Sequence, residues 1–265
     1  MYRRYTSEQL KKLAMGTMFI DHAAVALIYN TGLNEISPLL ENIGIAMRLI
    51  GRMAFPLYTF LLVQGFLWTR DWRRYAARVA GFALVSEVPY DLVAFGTIWN
   101  LERQNTMFTM LVGLLCMKMF SELEEFRESS GTSWWPGAGT GNTSLLTPMG
   151  RKWFARVGMI LTAVTGILAA DFLRVDYGSA GILLILVFYM FRFRPAEQLF
   201  GGCIVLYFMY FNVYAISAWI AIFLISRYNG ERGRKMGYLP YIFYPAHLLV
   251  VWLAGEILCC IKFVV

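Results

Sequence analysis

Apolar residues run along this chain in long uninterrupted stretches. They show neither the two-residue alternation of half-buried strands nor the narrow stripe of a soluble amphipathic helix. The first stretch turns into the apolar phase near Lys12 and ends at Tyr29; others follow at 43–68, 79–99, 105–120, 154–173, 178–193, 199–212, 214–226 and 239–262. Several approach the roughly 20 residues that a helix needs to cross a hydrocarbon core ~30 Å thick. The expected fold is therefore all-α: a polytopic transmembrane helical bundle of about nine spans, forming one membrane domain over residues 1–265. Thr6 with Gln9 three residues later is a capping-box signal that starts the first helix at the interface. No small-residue cleavage site closes the first apolar run, so that helix is expected to be retained. Leu199 to Ser226 reads as one long tilted helix or as a hairpin of two short ones; the hairpin is preferred because it keeps the next basic cluster inside. Ser121–Lys152 opens on Glu122-Leu123-Glu124-Glu125, turns rich in Gly, Ser and Thr, and reads as a flexible cytoplasmic loop insertion.

Composition agrees: 58% of the chain is apolar and 15% charged, which excludes a water-soluble globule, a secreted disulfide scaffold and a cytosolic nucleotide-binding enzyme. The net charge of +7 belongs to topology and anionic headgroups of the lipid bilayer rather than to nucleic acid. Arg3, Arg4, Lys11 and Lys12, then Arg70, Arg73, Arg74 and Arg78, then Arg227, Arg232, Arg234 and Lys235 mark three cytoplasmic segments, the N-terminus among them. Glu35 and Glu41, with no cation between the first two spans, mark an outer connection. Cys116, Cys203, Cys259 and Cys260 sit inside apolar runs without metal-type spacing and read as packing residues, so no metal is expected.

The chemistry lies in the few ionisable groups placed at depth, where each is costly without a partner. Asp21 and His22 fall near the middle of the first span. Arg48 and Arg52 lie one turn apart in the second, and Glu87 and Asp91 one turn apart in the third. Each like-charged pair shares a helix face and makes sense opposite the other sign, so two arginines are expected to face two carboxylates, as structural ion pairs or as substrate contacts. Adjacent positions point about 100° apart, so Asp21 does not orient His22; its natural partner is an arginine of the second span. For His22 the candidate partners by type are Tyr244, Asn105 and Glu87. The chain has two histidines, His22 and His247, both in apolar segments. A buried imidazole can act as general base or carry an acyl group, or it can be a satisfied core residue. Pro56, Pro89 and Pro245 interrupt the polar spans and suggest a central cavity, or ordinary kinks. Tyr228-Asn229-Gly230-Glu231-Arg232-Gly233-Arg234-Lys235 combines glycines with cations, suited to phosphate oxygens or to lipid headgroups.

Several blocks taken together carry a resemblance. They are Leu10-Lys11-Lys12-Leu13-Ala14-Met15 with Met18-Phe19-Ile20-Asp21-His22; Ile50-Gly51-Arg52-Met53-Ala54-Phe55-Pro56-Leu57; Gln64-Gly65-Phe66 with Thr69-Arg70-Asp71 and Tyr75; Ser86-Glu87-Val88-Pro89-Tyr90-Asp91; Asp176-Tyr177-Gly178; Tyr228 to Gly233; and Phe243-Tyr244-Pro245-Ala246-His247-Leu248. In this order the chain resembles the TraX family of membrane proteins, with Ser121–Lys152 outside the match. Gln64 and Tyr90 depart from the family's usual residues. The resemblance implies a multi-pass protein of the bacterial inner membrane that moves an acetyl group from acetyl-CoA to an acceptor amine, such as a pilin-like peptide N-terminus or another amine or hydroxyl, at or across the membrane. By matching position it implies Asp21, His22, Arg52, Glu87, Asp91, Asn229, Arg232 and His247 as its polar motif. In that reading Arg70, Arg73, Asn229, Arg232 and Arg234 surround the acetyl-CoA phosphates, and His22, His247, Asp21, Arg52, Glu87 and Asp91 surround the reacting atoms. Two other classes use the same charges: a proton-coupled small-molecule transporter, which moves solute without chemical change, and a non-enzymatic scaffold, in which the histidines are dispensable.

Overall fold

The computed structural model describes residues 4–128, 147–211 and 213–264. Among the described residues all regular structure is helical, apart from isolated bridges joining Tyr5 to Tyr228 and Gln104 to Val175. The order is α1 (Ser7–Ala24, continued by a π-helical turn Val25–Tyr29), α2 (Leu33–Ile36), α3 (Pro38–Gly51), α4 (Ala54–Trp68), α5 (Trp72–Phe95), α6 (Thr106–Glu128), α7 (Pro148–Phe172), α8 (Gly178–Met190), α9 (Pro195–Tyr210), α10 (Tyr214–Ser226) and α11 (Leu239–Val264).

Local chemistry sets many of these boundaries. Thr6 and Gln9 form the expected capping box on α1. Asp71 caps α5 by accepting from the Arg74 backbone N–H, and Gly96, in the left-handed region, ends it. Phe211 takes a left-handed turn after α9, and α10 folds back so that Tyr207 stacks on Trp219. The hairpin reading of 199–226 is thus correct. Two expectations change. The second span is two helices meeting at Arg52-Met53, with Pro56 in the first turn of α4, where its missing N–H does no harm. Of Ser121–Lys152, the beginning continues α6 to Glu128 and the end opens α7 at Pro148 under a Thr147 cap; 129–146 lie outside the described residues.

Among the described residues five segments are long and apolar enough to cross a membrane: Ser7–Tyr29, Pro38–Trp68, Thr106–Glu128, Pro148–Phe172 and Leu239–Ile261. The expected nine crossings are not reached by that measure. The 24-residue α5 carries several charges, while α8 and α10, at 13 residues each, are short of a bilayer's thickness. The outer surface is apolar, as a membrane protein's must be. On α7, Trp153, Val157, Ile160, Leu161, Val164 and Leu168 are exposed at helical spacing, and only Ala155, Gly166 and Ala170 are buried.

Small residues let the polar helices approach. A Cβ on Gly51 would overlap the Asp21 side chain, so glycine allows α3 to close on α1. Gly51→Ala is expected to lower stability by about 1–3 kcal/mol through overpacking, measured as thermal unfolding in detergent.

Candidate functional site

The site is built where α1, the α3–α4 break, α5 and α11 converge. Two rings separated by 225 positions meet there: His22 Nδ1 lies 2.8 Å from His247 Nε2, and His247 Nδ1 lies 2.7 Å from the Phe243 carbonyl oxygen. A carbonyl only accepts, so His247 Nδ1 carries the proton and donates it. Neutral His247 then offers a bare Nε2, to which His22 Nδ1–H donates. The network leaves His22 Nε2 unprotonated, with its lone pair free. His22 lines a cavity, whereas His247 is nearly fully buried behind it and stacks on Phe243 with ring centroids 4.8 Å apart. The π-helical turn begins three residues after His22 and packs against α11, where a Cβ on Gly255 would stand 2.7 Å from the Ala26 carbonyl oxygen. That close approach brings the two histidine-bearing helices together.

Both arginines of α3 and its end turn to Asp21. Arg48 Nη1 donates to Oδ2 at 2.7 Å and Arg52 Nη2 to Oδ1 at 3.4 Å. This confirms an arginine partner for Asp21 and corrects the pairing expected for the other carboxylates. Glu87 accepts from the Asn105 side-chain and backbone N–H groups, and Asp91 accepts from the Asn100 backbone N–H at 2.8 Å. These acids tie α5 to the segment leading into α6. They do not line the cavity, although their neighbours Tyr90, Val93 and Ala94 do.

The cavity encloses about 640 Å³, within the range of small-molecule sites. On α1 and its π-helical continuation it is lined by Ser7, Lys11, Met18, Asp21, His22 and Val25, steps of four, seven, three, one and three that keep to one helix face. Lys11 to His22 spans eleven residues, about 16 Å along the axis. Near Lys11 the wall carries Arg78, Arg232, Arg234 and Lys235; near His22 it carries Asp21, Arg48, Arg52, Tyr58 and Tyr244. The Tyr58 hydroxyl is buried without a hydrogen-bond partner among the described residues, and the Tyr244 hydroxyl lies beside Thr106.

The basic segment before α11 is fastened to the start of α1. Ser7 and Glu8 donate their backbone N–H groups to the Glu231 and Arg232 carbonyls, and Glu8 accepts from the Arg234 N–H at 2.8 Å. Gly233 lies at φ 69°, and a Cβ there would press on Thr6 and Glu8. Arg232 donates to the Trp68 carbonyl and lies over its ring at 4.8 Å. Asn229 closes a local turn on Glu231 and does not reach the cavity; Arg70 and Arg73 are exposed and also stand outside it. Lys11, Arg78 and Lys235 line the mouth, and Arg70 and Arg73 do not. The only sign of this in the sequence is that the three belong to its three basic segments.

The family described as TraX protein matches residues 6–254. The chain belongs to the TraX family. A curated relative, "Probable fimbrial assembly protein FimC, serogroup H1" of Dichelobacter nodosus, is 29% identical over 120 residues, 43% of this chain and 46% of that protein. The match thus spans about half the length of the relative. No solved structure matches. The blocks that carry the TraX resemblance lie far apart in the chain, yet Asp21-His22, Gly51-Arg52, Tyr90, Asp176-Tyr177, Arg232-Gly233 and Tyr244 line one cavity.

Proposed function

We propose that this TraX-family protein is an integral membrane acetyltransferase that moves an acetyl group from acetyl-CoA to an acceptor amine at the membrane. The observation that carries the reading is an unprotonated imidazole nitrogen, fixed by a second histidine, in a cavity whose other end is cationic. A carrier needs charges at depth but has no need of an imidazole held in one tautomer with its lone pair free.

Lys11, Arg78, Arg232, Arg234 and Lys235 suit the phosphates of acetyl-CoA, and the roughly 16 Å between Lys11 and His22 suits a slender arm carrying the thioester inward. His22 Nε2 takes the proton of the attacking acceptor nitrogen as the new C–N bond forms. The C–S bond breaks, and the same proton passes from His22 to the departing thiolate, so the reaction is balanced as an amide plus free thiol. His247 holds the ring without taking the proton. Arg52 is engaged by Asp21, and the unpartnered hydroxyl of Tyr58 is the better donor to the developing oxyanion. Asp21 fixes Arg48 and Arg52. Glu87 and Asp91 position α5 rather than touching the reacting atoms. The relative named for fimbrial assembly supports a pilin-like or other membrane-associated acceptor. The basic mouth supports a cytoplasmic donor side and an inner-membrane location.

Lys11→Ala and Arg234→Ala are expected to raise the KM for acetyl-CoA roughly tenfold or more each, with kcat little changed, because they act on binding far from the reacting atoms. Steady-state CoA release by purified protein tests this; a fall in kcat at unchanged KM would remove the mouth from donor binding.

A further inference from the structure

A second cavity, of about 380 Å³, adjoins the first. Arg52, Arg103, Asp176 and Tyr177 line both, whereas Ala180 and Met209 line only the second. Its position follows from the helices. Ala180 is in the first turn of α8, Met209 in the last turn of α9, and Arg103 and Asp176 are in the connections after α5 and α7. From Arg78 at the basic mouth, α5 runs on to Phe95, about 25 Å, before the connection that holds Arg103. The second cavity therefore lies toward the opposite end of the bundle from Lys11, Arg78 and Arg234.

Between the two stands Tyr177. It is not glycine, yet it lies at φ 65° in the left-handed region, a conformation that persists for a bulky residue only where packing dictates it. Its ring stacks on Phe55 at 3.7 Å with the planes 10° apart. Gly181 makes the space, since a Cβ there would meet the Tyr177 Cβ at 3.0 Å and Phe55 at 3.2 Å. Arg52 completes the wall, held by Asp21 on the donor side. Asp176 is fixed by Thr106, whose hydroxyl donates to Oδ2 at 2.7 Å, and by Thr109, which bonds its carbonyl. Arg103 approaches the other carboxylate oxygen at 4.0 Å and keeps most of its surface exposed.

We infer that the acceptor reaches the site through this second cavity, from the face opposite the donor, and that Tyr177 and Arg52 form the partition between the two compartments. The lining fits a polar acceptor with an anionic group beside its amine: Arg103 meets the anion and Asp176 the amine. The acceptor role rests on the acetyl-transfer reading; the two-faced access does not.

Two measurements separate them. With Cys116, Cys203, Cys259 and Cys260 replaced by serine, Ala180→Cys and Lys235→Cys are each placed in the full chain in sealed vesicles and exposed to a membrane-impermeant maleimide. Labelling of the two from opposite sides is expected; labelling from the same side overturns the two-faced access whether or not the protein transfers acetyl groups. Met209→Trp, which narrows only the second cavity, is expected to raise the acceptor KM roughly tenfold or more while the acetyl-CoA KM stays as in wild type. Tyr177→Ala is expected to increase acceptor-independent CoA release, as water admitted through the partition hydrolyses the thioester to acetate and CoA. An unchanged acceptor KM in a folded Met209→Trp protein overturns the acceptor route, while CoA release in wild type shows separately whether the acetyl-transfer reading stands.

Discussion

Replacing Asp21 by alanine is expected to destabilise the protein by about 3 kcal/mol or more, because one carboxylate bonds two guanidinium groups and its removal leaves Arg48 without its ion-pair partner and Arg52 with only the more distant Asp176. Arg48 and Arg52 cannot turn to Glu87 or Asp91, which are committed to the Asn105 and Asn100 N–H groups on another helix pair. Arg48→Met is expected to cost less, since Asp21 keeps Arg52 and the methionine stem retains the packing of the arginine chain. Thermal unfolding in detergent gives the order: wild type most stable, then Arg48→Met, then Asp21→Ala. Equal melting of Asp21→Ala and wild type would show that the ion triad does not hold α1 to the α3–α4 break. The same substitution is expected to reduce turnover even where the protein stays folded, because Asp21 adjoins His22 and its loss frees Arg52 to swing into the space beside the ring.

His22→Ala is expected to lower CoA release by about 100- to 10,000-fold while acetyl-CoA binding is retained. His22 is the imidazole that lines the cavity, its free nitrogen is Nε2, and the cationic mouth proposed for the donor is roughly 16 Å away along α1. His247→Ala is expected to cost less than His22→Ala, because it removes the group that fixes the tautomer rather than the base. The double variant is expected to be scarcely slower than His22→Ala, as residues acting as one unit are not additive. Full activity in folded His22→Ala protein with intact donor binding would move the chemistry elsewhere.

Part of this was legible in the sequence, for reasons that are themselves physical. The Thr6–Gln9 cap, the turn that divides 199–226 and the pairing of Asp21 with arginine follow from local chemistry or from the cost of an unpaired charge in an apolar phase. The His22–His247 bond did not follow. On a helix apolar on all sides, periodicity does not say which face turns to which neighbour, and Tyr244, Asn105 and Glu87 were equally reasonable partners by type. Tyr244 is one turn from His247 on the same helix, so the residue type points to the right helix and not to the right residue. Glu87 and Asp91 depart from the expected pairing because N–H groups of the connection before α6 engage one oxygen of each carboxylate, an option that charge balance alone does not include. Arg70 and Arg73 belong to the same basic segment as Arg78. Spacing along a loop does not reveal that α5 turns Arg78, and not its predecessors, toward the cavity. The second cavity had no signature beyond Asp176-Tyr177-Gly178, whose left-handed tyrosine is visible only in the backbone.

The most direct test of the central claim follows both CoA and acceptor in one preparation: the wild-type protein in sealed vesicles, given labelled acetyl-CoA on the side of the basic mouth and an amine acceptor on either side. Stoichiometric free CoA and acetylated acceptor are expected, both lowered by about 100-fold or more in His22→Ala vesicles. Movement of unaltered acceptor across the membrane, with acetyl-CoA left intact, would contradict the claim.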